Sequence, residues 1–318
     1  MRKILDKEFI NKLEQIYSND DLKIIEKWFS VEKRKTTFRV NTLKTTNEQV
    51  EKILKENNIN FKKVDFLKNA YILEDSRESD LWELDIFKNG HIYLQSLSSQ
   101  IPVEILNINE NDRILDITAA PGWKTSQVAA KLKNTWEIIA NDNNAIRIDK
   151  LKFTINRQWC TNVEVVKNDA RNIWKNNPKY IDYFDKIIAD LPCSAEWKFN
   201  LNNEKSYAYW SQDIVNKNYK LQKEIIQNTI ELLKDNGELV YSTCTISPEE
   251  NEAIVHMILW NYPEMKLEEI KLWYKYERKW INKINEKVYR KEVEKTIRIL
   301  PSDESEWFFI AKFKKIKN

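Results

Sequence analysis

Apolar positions in the first thirty residues fall at helical spacing: Phe9, Leu13, Ile16, Leu22, Ile25 and Trp28 make one stripe on a helical surface. A strand-like run, Thr36 to Leu43, follows. Thr46 then offers an N-cap to a helix reaching Asn57, with Glu48 close behind it. Short strands near Val64 and from Ala70 to Leu73 complete a small α/β unit that ends near residue 92, and a helix over 94–106 leads out of it. From residue 107 onward, short β-branched runs alternate with helical ones, the pattern of a parallel sheet with crossover helices. Strands are expected at 113–118, 137–142, 163–169, 186–191, 238–243 and 308–313, with helices at 124–132, 146–157, 211–233 and 248–260. The chain thus divides into a smaller N-terminal region, 1–106, and a doubly wound α/β domain, 107–318. Residues 271–295 are charged and aromatic and take no assignment, and no internal repeat or low-complexity linker interrupts the pattern.

Composition narrows the class. Of 318 residues, 42% are apolar and 32% charged, which suits a soluble protein with a sizeable core. No apolar stretch approaches membrane-spanning length, and the N-terminus lacks the apolar core of a secretory signal. Three cysteines without framework spacing fit a reducing cytoplasm. Only two histidines are present, His91 and His256, and no Cys/His cluster has ligand spacing, so no metal is expected. The net charge of +3 is too small to point to nucleic acid by itself; most lysines are read as solvated helix faces.

The chemistry concentrates at the ends of the expected strands. The first runs into Asp116-Ile-Thr-Ala-Ala-Pro-Gly-Trp-Lys-Thr125 and then a helix, a tight loop and helix N-terminus suited to a polar cofactor group. Ala119, Ala120, Pro121, Gly122, Trp123 and Lys124 form that loop. Asp142 ends the second strand, placed to accept both hydroxyls of a ribose, with Arg147 just beyond it. Asp169 ends the third, a partner for an adenine amino group. One acidic strand end is usually a turn or a cap; three in succession favour nucleoside binding. The fourth strand supplies Asp190-Leu-Pro-Cys193-Ser and the fifth Ser242-Thr-Cys244-Thr. A buried cysteine is usually a small hydrophobe, and Cys160 is read so. Cys193 and Cys244 share the cofactor face, where a thiolate needs an electropositive neighbour; Lys124 is the candidate.

Ala119–Thr125, Asp190-Leu-Pro-Cys-Ser-Ala-Glu-Trp-Lys-Phe199 and Tyr241-Ser-Thr-Cys-Thr-Ile-Ser-Pro-Glu-Glu-Asn-Glu252 resemble the motifs of the RsmB/RsmF-like (Sun-type) RNA cytosine-5 methyltransferases. Phe38-Arg-Val-Asn-Thr-Leu-Lys44 and Tyr93-Leu-Gln95 are similar to that family's N-terminal region, so the resemblance runs from about residue 35 to the C-terminus. It implies a Rossmann-like methyltransferase sheet with a smaller N-terminal α/β RNA-binding domain, and S-adenosylmethionine as cofactor. It also implies covalent catalysis: Cys244 attacks cytosine carbon 6, which makes carbon 5 nucleophilic, and Cys193 assists product release. Asp190 would hold the cytosine edge with Lys124 close to the base, while Arg39, Lys44 and Lys198 would contact RNA. The target base must leave its stack. A cytoplasmic monomer acting on ribosomal RNA is expected, with transfer RNA as the alternative and no further C-terminal RNA-binding unit.

The chain departs from the family in one respect. It has 3 glycines and 12 tryptophans. Tryptophan stands where the motifs carry glycine at 123 and 197, and Trp136, Trp159 and Trp307 also occupy turn or pre-strand positions. A tight-looped α/β enzyme needs glycine at such places. Reading UGA codons as tryptophan in a gene that uses them for glycine produces this double bias. Taken literally, the same tryptophans describe a pseudo-enzyme that keeps the fold while its cofactor pocket is blocked.

Overall fold

The computed structural model describes residues 1, 4–279, 281, 283–284 and 286–317. Two amphipathic helices, α1 (Lys7–Ile16) and α2 (Asn19–Ser30), open the chain; the Asp6 and Ser18 side chains cap them by accepting first-turn N–H groups. Their apolar stripe, including Phe9, Leu13, Ile25 and Phe29, packs with Phe199, Trp210, Ile246, Leu300 and Trp307 of the C-terminal half.

Strands β1 (Thr37–Val40), β2 (Phe61–Lys63), β3 (Ala70–Leu73) and β4 (Ile92–Leu94) form a small antiparallel sheet in the order β2-β3-β1-β4. Helix α3 (Asn47–Glu56) and the short α4 (Glu78–Trp82) and α5 (Asp85–Lys88) connect them. Thr46 caps α3 as expected, but Gln49, not Glu48, completes the capping box. The helix expected over 94–106 is shorter: Leu94 pairs with Phe38 in the small sheet, and α6 (Leu97–Glu104) begins after it.

The main sheet holds five parallel strands: β5 (Ile114–Asp116), β6 (Ile138–Asp142), β7 (Val163–Lys167), β8 (Phe184–Asp190) and β9 (Leu233–Thr243). Their spatial order is β7-β6-β5-β8-β9. Helices α7 (Trp123–Lys131), α8 (Ala145–Arg157), α9 (Ile173–Asn176), α10 (Gln212–Leu232) and α11 (Glu252–Asn261) lie between or after them. Beyond β9 the sheet is antiparallel, which corrects the expectation of a parallel sheet throughout. Strands β10 (Met265–Glu268), β11 (Glu277–Lys279), β14 (Ile297–Ile299) and β15 (Phe308–Lys315) extend that edge, while β12 (Lys283–Ile284) and β13 (Lys287–Val288) pair only with each other. The chain enters β15 from β14 on the same edge, with no crossover helix to make it parallel. The segment left unassigned in the sequence therefore contains strand and a 3-10 turn over Lys291–Lys295.

Side-chain alternation explains the layers. Leu115, Ile139, Ile187, Leu239 and Phe309 face α10 and α11, whereas Ile114, Ile138, Ile188, Val240 and Ile310 face α6, α7 and α8. A buried ion pair ties the far edge to the motif after β9. Arg298 of β14 donates to Glu252 at 2.7 Å from Nε, and its Nη1 donates to Ile246 O at 2.9 Å and to Tyr17 Oη at 3.2 Å.

Three of the described tryptophans show two contrasting placements. Trp159 follows α8 with φ +58° and Trp273 has φ +56°, the left-handed region, and their exposures are 55% and 90%. Trp307 is only 1% exposed and packs near Tyr17, Trp28 and Phe29. The expectation of glycine thus gains a backbone reason at 159, while at 307 an indole fills core space.

Candidate active site

The parallel strands end on one side of the sheet, and the residues just past them build the site. The buried Asp116 carboxylate at the end of β5 accepts from Thr125 Oγ1 at 2.7 Å. Burial pushes it up to about 6. The loop beyond closes tightly: Ala119 N–H donates to Asn141 O at 2.7 Å and Gly122 N–H to Ala119 O at 2.8 Å. Gly122 has φ +104°, and a Cβ there would meet Leu151 and Thr154 at 3.0 and 3.1 Å. Torsion and space both require glycine. Pro121 precedes it, and the loop delivers the N-terminus of α7 to the strand ends. Arg147 braces the loop from α8, donating from Nη2 to Ala120 O at 2.6 Å and lying 3.3 Å from Asp142 Oδ2. Asp142 is buried at the end of β6 and accepts Asn144 N–H at 3.0 Å. Asp169 is half-exposed and engaged by its neighbour: Arg171 Nη2 lies 2.6 Å from Oδ2, and this hydrogen bond holds the carboxyl below its ordinary range.

A glycine-lined turn, a helix N-terminus and a buried acidic acceptor fit a nucleoside-bearing cofactor. Trp123 is the element that fits poorly. It opens α7 with its side chain half-buried, reaches Tyr93, and lines a cavity of ≈ 260 Å³ with Arg34, Gln95, Ser302 and Glu306.

Strands β8 and β9 set the second half of the site. Their parallel register pairs Asp190 with Ser242 and so brings the following loops together. Cys193 Sγ and Cys244 Sγ lie 3.0 Å apart, hydrogen-bonded, and both cysteines are free and partly buried. Asp190 is gripped from two sides: Ser242 Oγ donates to Oδ1 at 2.8 Å and Lys124 Nζ to Oδ2 at 2.6 Å. Lys124 is buried and also donates to Ser99 Oγ at 3.2 Å. The structure therefore gathers Cys193, Cys244, Asp190 and Lys124. It corrects the electrostatics expected at Cys193, however. The Lys124 ammonium is spent on Asp190, and the groups behind Cys193 are the buried carboxyls of Glu250 and Glu196. The hydrogen bond with Cys244, burial and these two acidic side chains hold the Cys193 thiol well above its ordinary range. Cys160 is a buried core thiol pushed up to about 11 by burial.

The three RNA candidates differ in placement. Arg39 is 3% exposed; its guanidinium donates to Gln95 Oε1 at 3.2 Å and Ser126 Oγ at 3.1 Å, bracing the small sheet against α7. A buried, doubly bonded guanidinium does not reach a phosphate, so Arg39 is a structural residue. Lys44 Nζ donates to the carbonyls of Asn89 and Arg157, both at 2.7 Å. Lys198 is exposed, with Nζ 5.7 Å from the Trp197 ring centroid. Sequence reasoning passed over Ser99 and Ser242, which orient Lys124 and Asp190. Ser242 lay inside the Tyr241–Glu252 motif, two residues before Cys244; Ser99 carried no local signal.

A family model described as 16S rRNA methyltransferase RsmB/F matches residues 103–314. The chain belongs to the RsmB/F methyltransferase family. Among its relatives, the tRNA (cytosine(49)-C(5))-methyltransferase of Pyrococcus abyssi is 34% identical over 88% of this chain and 88% of its own. The ribosomal RNA small subunit methyltransferase F of Vibrio parahaemolyticus is 34% identical over 69% of this chain and 46% of its own. The human 28S rRNA (cytosine(4447)-C(5))-methyltransferase is 31% identical over 90% of this chain, which spans 35% of that protein. The fold is similar to that of a methyltransferase homolog protein from Pyrococcus horikoshii, with a TM-score of 0.83 at 28% identity, covering 98% of this chain and 95% of that one. NSun6 from Pyrococcus horikoshii gives 0.82 at 24% identity over 100% of both chains. Among the described residues, no helix is long and apolar enough to cross a membrane.

Proposed function

We propose that the protein is an S-adenosylmethionine-dependent RNA (cytosine-5) methyltransferase. One observation carries this reading: two free thiols 3.0 Å apart, beside a carboxylate held by lysine and serine. Cytosine carbon 5 is a poor nucleophile until a thiolate adds to carbon 6. Cys244, at the end of the central strand β9, is the attacking thiol. Cys193 faces it from the β8 loop and assists release once carbon 5 has lost its proton. Asp190 hydrogen-bonds the cytosine edge, and Lys124 fixes the orientation of its carboxylate. The loop 119–124, Asp142, Arg147 and Asp169 bind the cofactor, which supplies an electrophilic methyl group when bound. RNA reaches the site with the target base unstacked, and Lys44 and Lys198 lie among the backbone contacts.

A second reading rests on Trp123. If the indole at that position is native, the protein is an RNA-binding pseudo-enzyme. Calorimetry with S-adenosylmethionine on the chain as written and on a Trp123→Gly/Trp197→Gly form separates the two. Binding by the doubly substituted form supports the enzyme, and binding by neither refutes it. The Ala195–Phe199 stretch favours ribosomal RNA, whereas the matched length of the Pyrococcus abyssi relative favours transfer RNA. Bisulfite mapping of both RNA classes from cells lacking the gene identifies the cytosine that loses its methyl group.

A further inference from the structure

Behind the two thiols lies a second pair of titratable groups. Glu196 and Glu250 are both 0% exposed, and both reach one hydroxyl, that of Ser194, the residue after Cys193. Ser194 Oγ is 2.7 Å from Glu196 Oε1, 2.8 Å from Thr245 Oγ1, and within hydrogen-bond distance of Glu250 Oε1. A serine hydroxyl has a single proton to donate. It cannot satisfy two carboxylates at once, so one of the two must donate a proton of its own. Glu196 Oε1 also accepts from Trp210 Nε1 at 2.9 Å and Ser247 Oγ at 3.2 Å, while its buried Oε2 has no partner. Glu250 Oε2 accepts Ser194 N–H at 3.1 Å and Gln222 Nε2 at 2.8 Å, and Oε1 faces both that N–H, at 3.3 Å, and the hydroxyl. Burial, followed by the charge of Glu196, pushes Glu250 up to about 8.

We propose that Glu250 and Glu196 hold one proton between them and that Glu250 is thereby a positioning residue of the methyl-transfer reaction: one carboxyl donates to Ser194 Oγ, which donates to the other, and this chain fixes Cys193 against Cys244. The proposal rests on the methyltransferase reading for its kinetic consequence but not for its thiol chemistry. The titratable groups packed around Glu250 are Glu196, Cys193 and Tyr209 from the β8 side, and Cys244 and Tyr241 from the β9 side. Gln222, contributed by α10, is neutral. Tyr209 donates to Ser194 O at 3.1 Å and is held above its ordinary range by burial, so it stays neutral beside the pair. The folded-state acidity of Glu250 is weakened, so the acid form prevails below about pH 8 and is lost as pH rises through it. Above that point two buried carboxylates face one hydroxyl, and a second negative charge opposes ionisation of Cys193.

The test compares the full-length protein with Glu250→Gln, whose amide keeps the donor without the titration, and with Glu250→Ala. Cys193 alkylation by iodoacetamide, resolved by peptide mass spectrometry, needs no substrate. At about pH 9, Glu250→Gln should react about tenfold faster at Cys193 than wild type, because the second charge is gone. With an unmodified RNA transcript, kcat should fall about tenfold in Glu250→Ala with the KM for S-adenosylmethionine unchanged. Glu250→Gln should restore that turnover and remove the alkaline limb near pH 8. An alkaline limb shared by Glu250→Gln and wild type, or equal Cys193 reactivity in both, overturns the proposal. Should Glu250→Gln not fold, Ser194→Ala removes only the shared hydroxyl: wild-type turnover in that variant overturns the proposal, and loss matching Glu250→Ala supports it. A protein that methylates no RNA yet shows the Cys193 difference refutes the methyltransferase reading alone.

Discussion

Replacing Trp159 by glycine should cost the protein less stability than the loss of a partly covered aromatic side chain ordinarily does. Trp159 N–H donates to Asn156 O at 3.1 Å and Cys160 N–H to Ile155 O at 3.0 Å, the paired bonds of a Schellman helix end, with Trp159 as its left-handed residue. Three other helix ends repeat the pattern. There the same position is held by Asn58, Gly90 and Lys133, with φ of 55°, 69° and 51°. A side chain in this conformation costs about 1–2 kcal/mol, and glycine returns about 0.5–1 kcal/mol of that through its freer unfolded chain. The indole at 159 is 55% exposed, so its covered part forfeits about 2 kcal/mol of apolar burial. The torsional gain, about 0.5–1 kcal/mol, offsets part of that, leaving a net loss of about 1 kcal/mol, or about 1.5 °C in Tm for a protein of this size. Trp273 is 90% exposed at φ +56° and has almost no burial to lose, so Trp273→Gly should raise Tm by about 1 °C. Trp136→Gly is the control: this residue is 40% exposed but its φ lies outside the left-handed region, so glycine there should cost about 0.5–1 kcal/mol on top of the burial it forfeits. Differential scanning calorimetry on the three variants decides it. If Trp159→Gly lowers Tm as much as Trp136→Gly, the torsional argument is wrong, and with it the structural support for glycine at 159.

Cys244→Ala should abolish methyl transfer, whereas Cys193→Ala should accumulate an RNA–protein adduct that survives a denaturing gel; turnover without an adduct in Cys193→Ala would exclude a releasing role. Arg298→Ala should destabilise the fold by about 3–5 kcal/mol in urea titration, because it leaves Glu252 buried and unpaired. A loss below about 1 kcal/mol would mean that the pair is hydrated. Arg39→Ala should lower Tm while leaving the salt dependence of RNA binding unchanged, and Lys198→Ala should do the reverse. A reduced salt slope in Arg39→Ala would return that residue to the RNA surface.

Short continuous apolar runs made the parallel strands legible, because each carries apolar side chains for both faces of a covered sheet. The same rule failed for β10 and β11, edge strands that are short, charged and partly exposed, and for β14, three buried residues with Arg298 at their middle, too short to show a pattern. At the site, strand-end placement was enough to bring Cys193, Cys244, Asp190 and Asp142 together, since parallel register decides which loops meet. What charge does there was not legible. Lys124 reads in the sequence as a cation free to favour a thiolate, yet its ammonium lies 2.6 Å from Asp190 Oδ2, and two buried carboxyls stand behind Cys193 instead. Arg39 reads as a surface cation in a strand and is in fact a buried brace, because the partners that bury it, Gln95 and Ser126, come from 56 and 87 residues away. Backbone pattern is a local property and survives in the sequence. The pairing of charges is settled by long-range packing, and the difference between an activating and a restraining neighbour for a thiol is decided there.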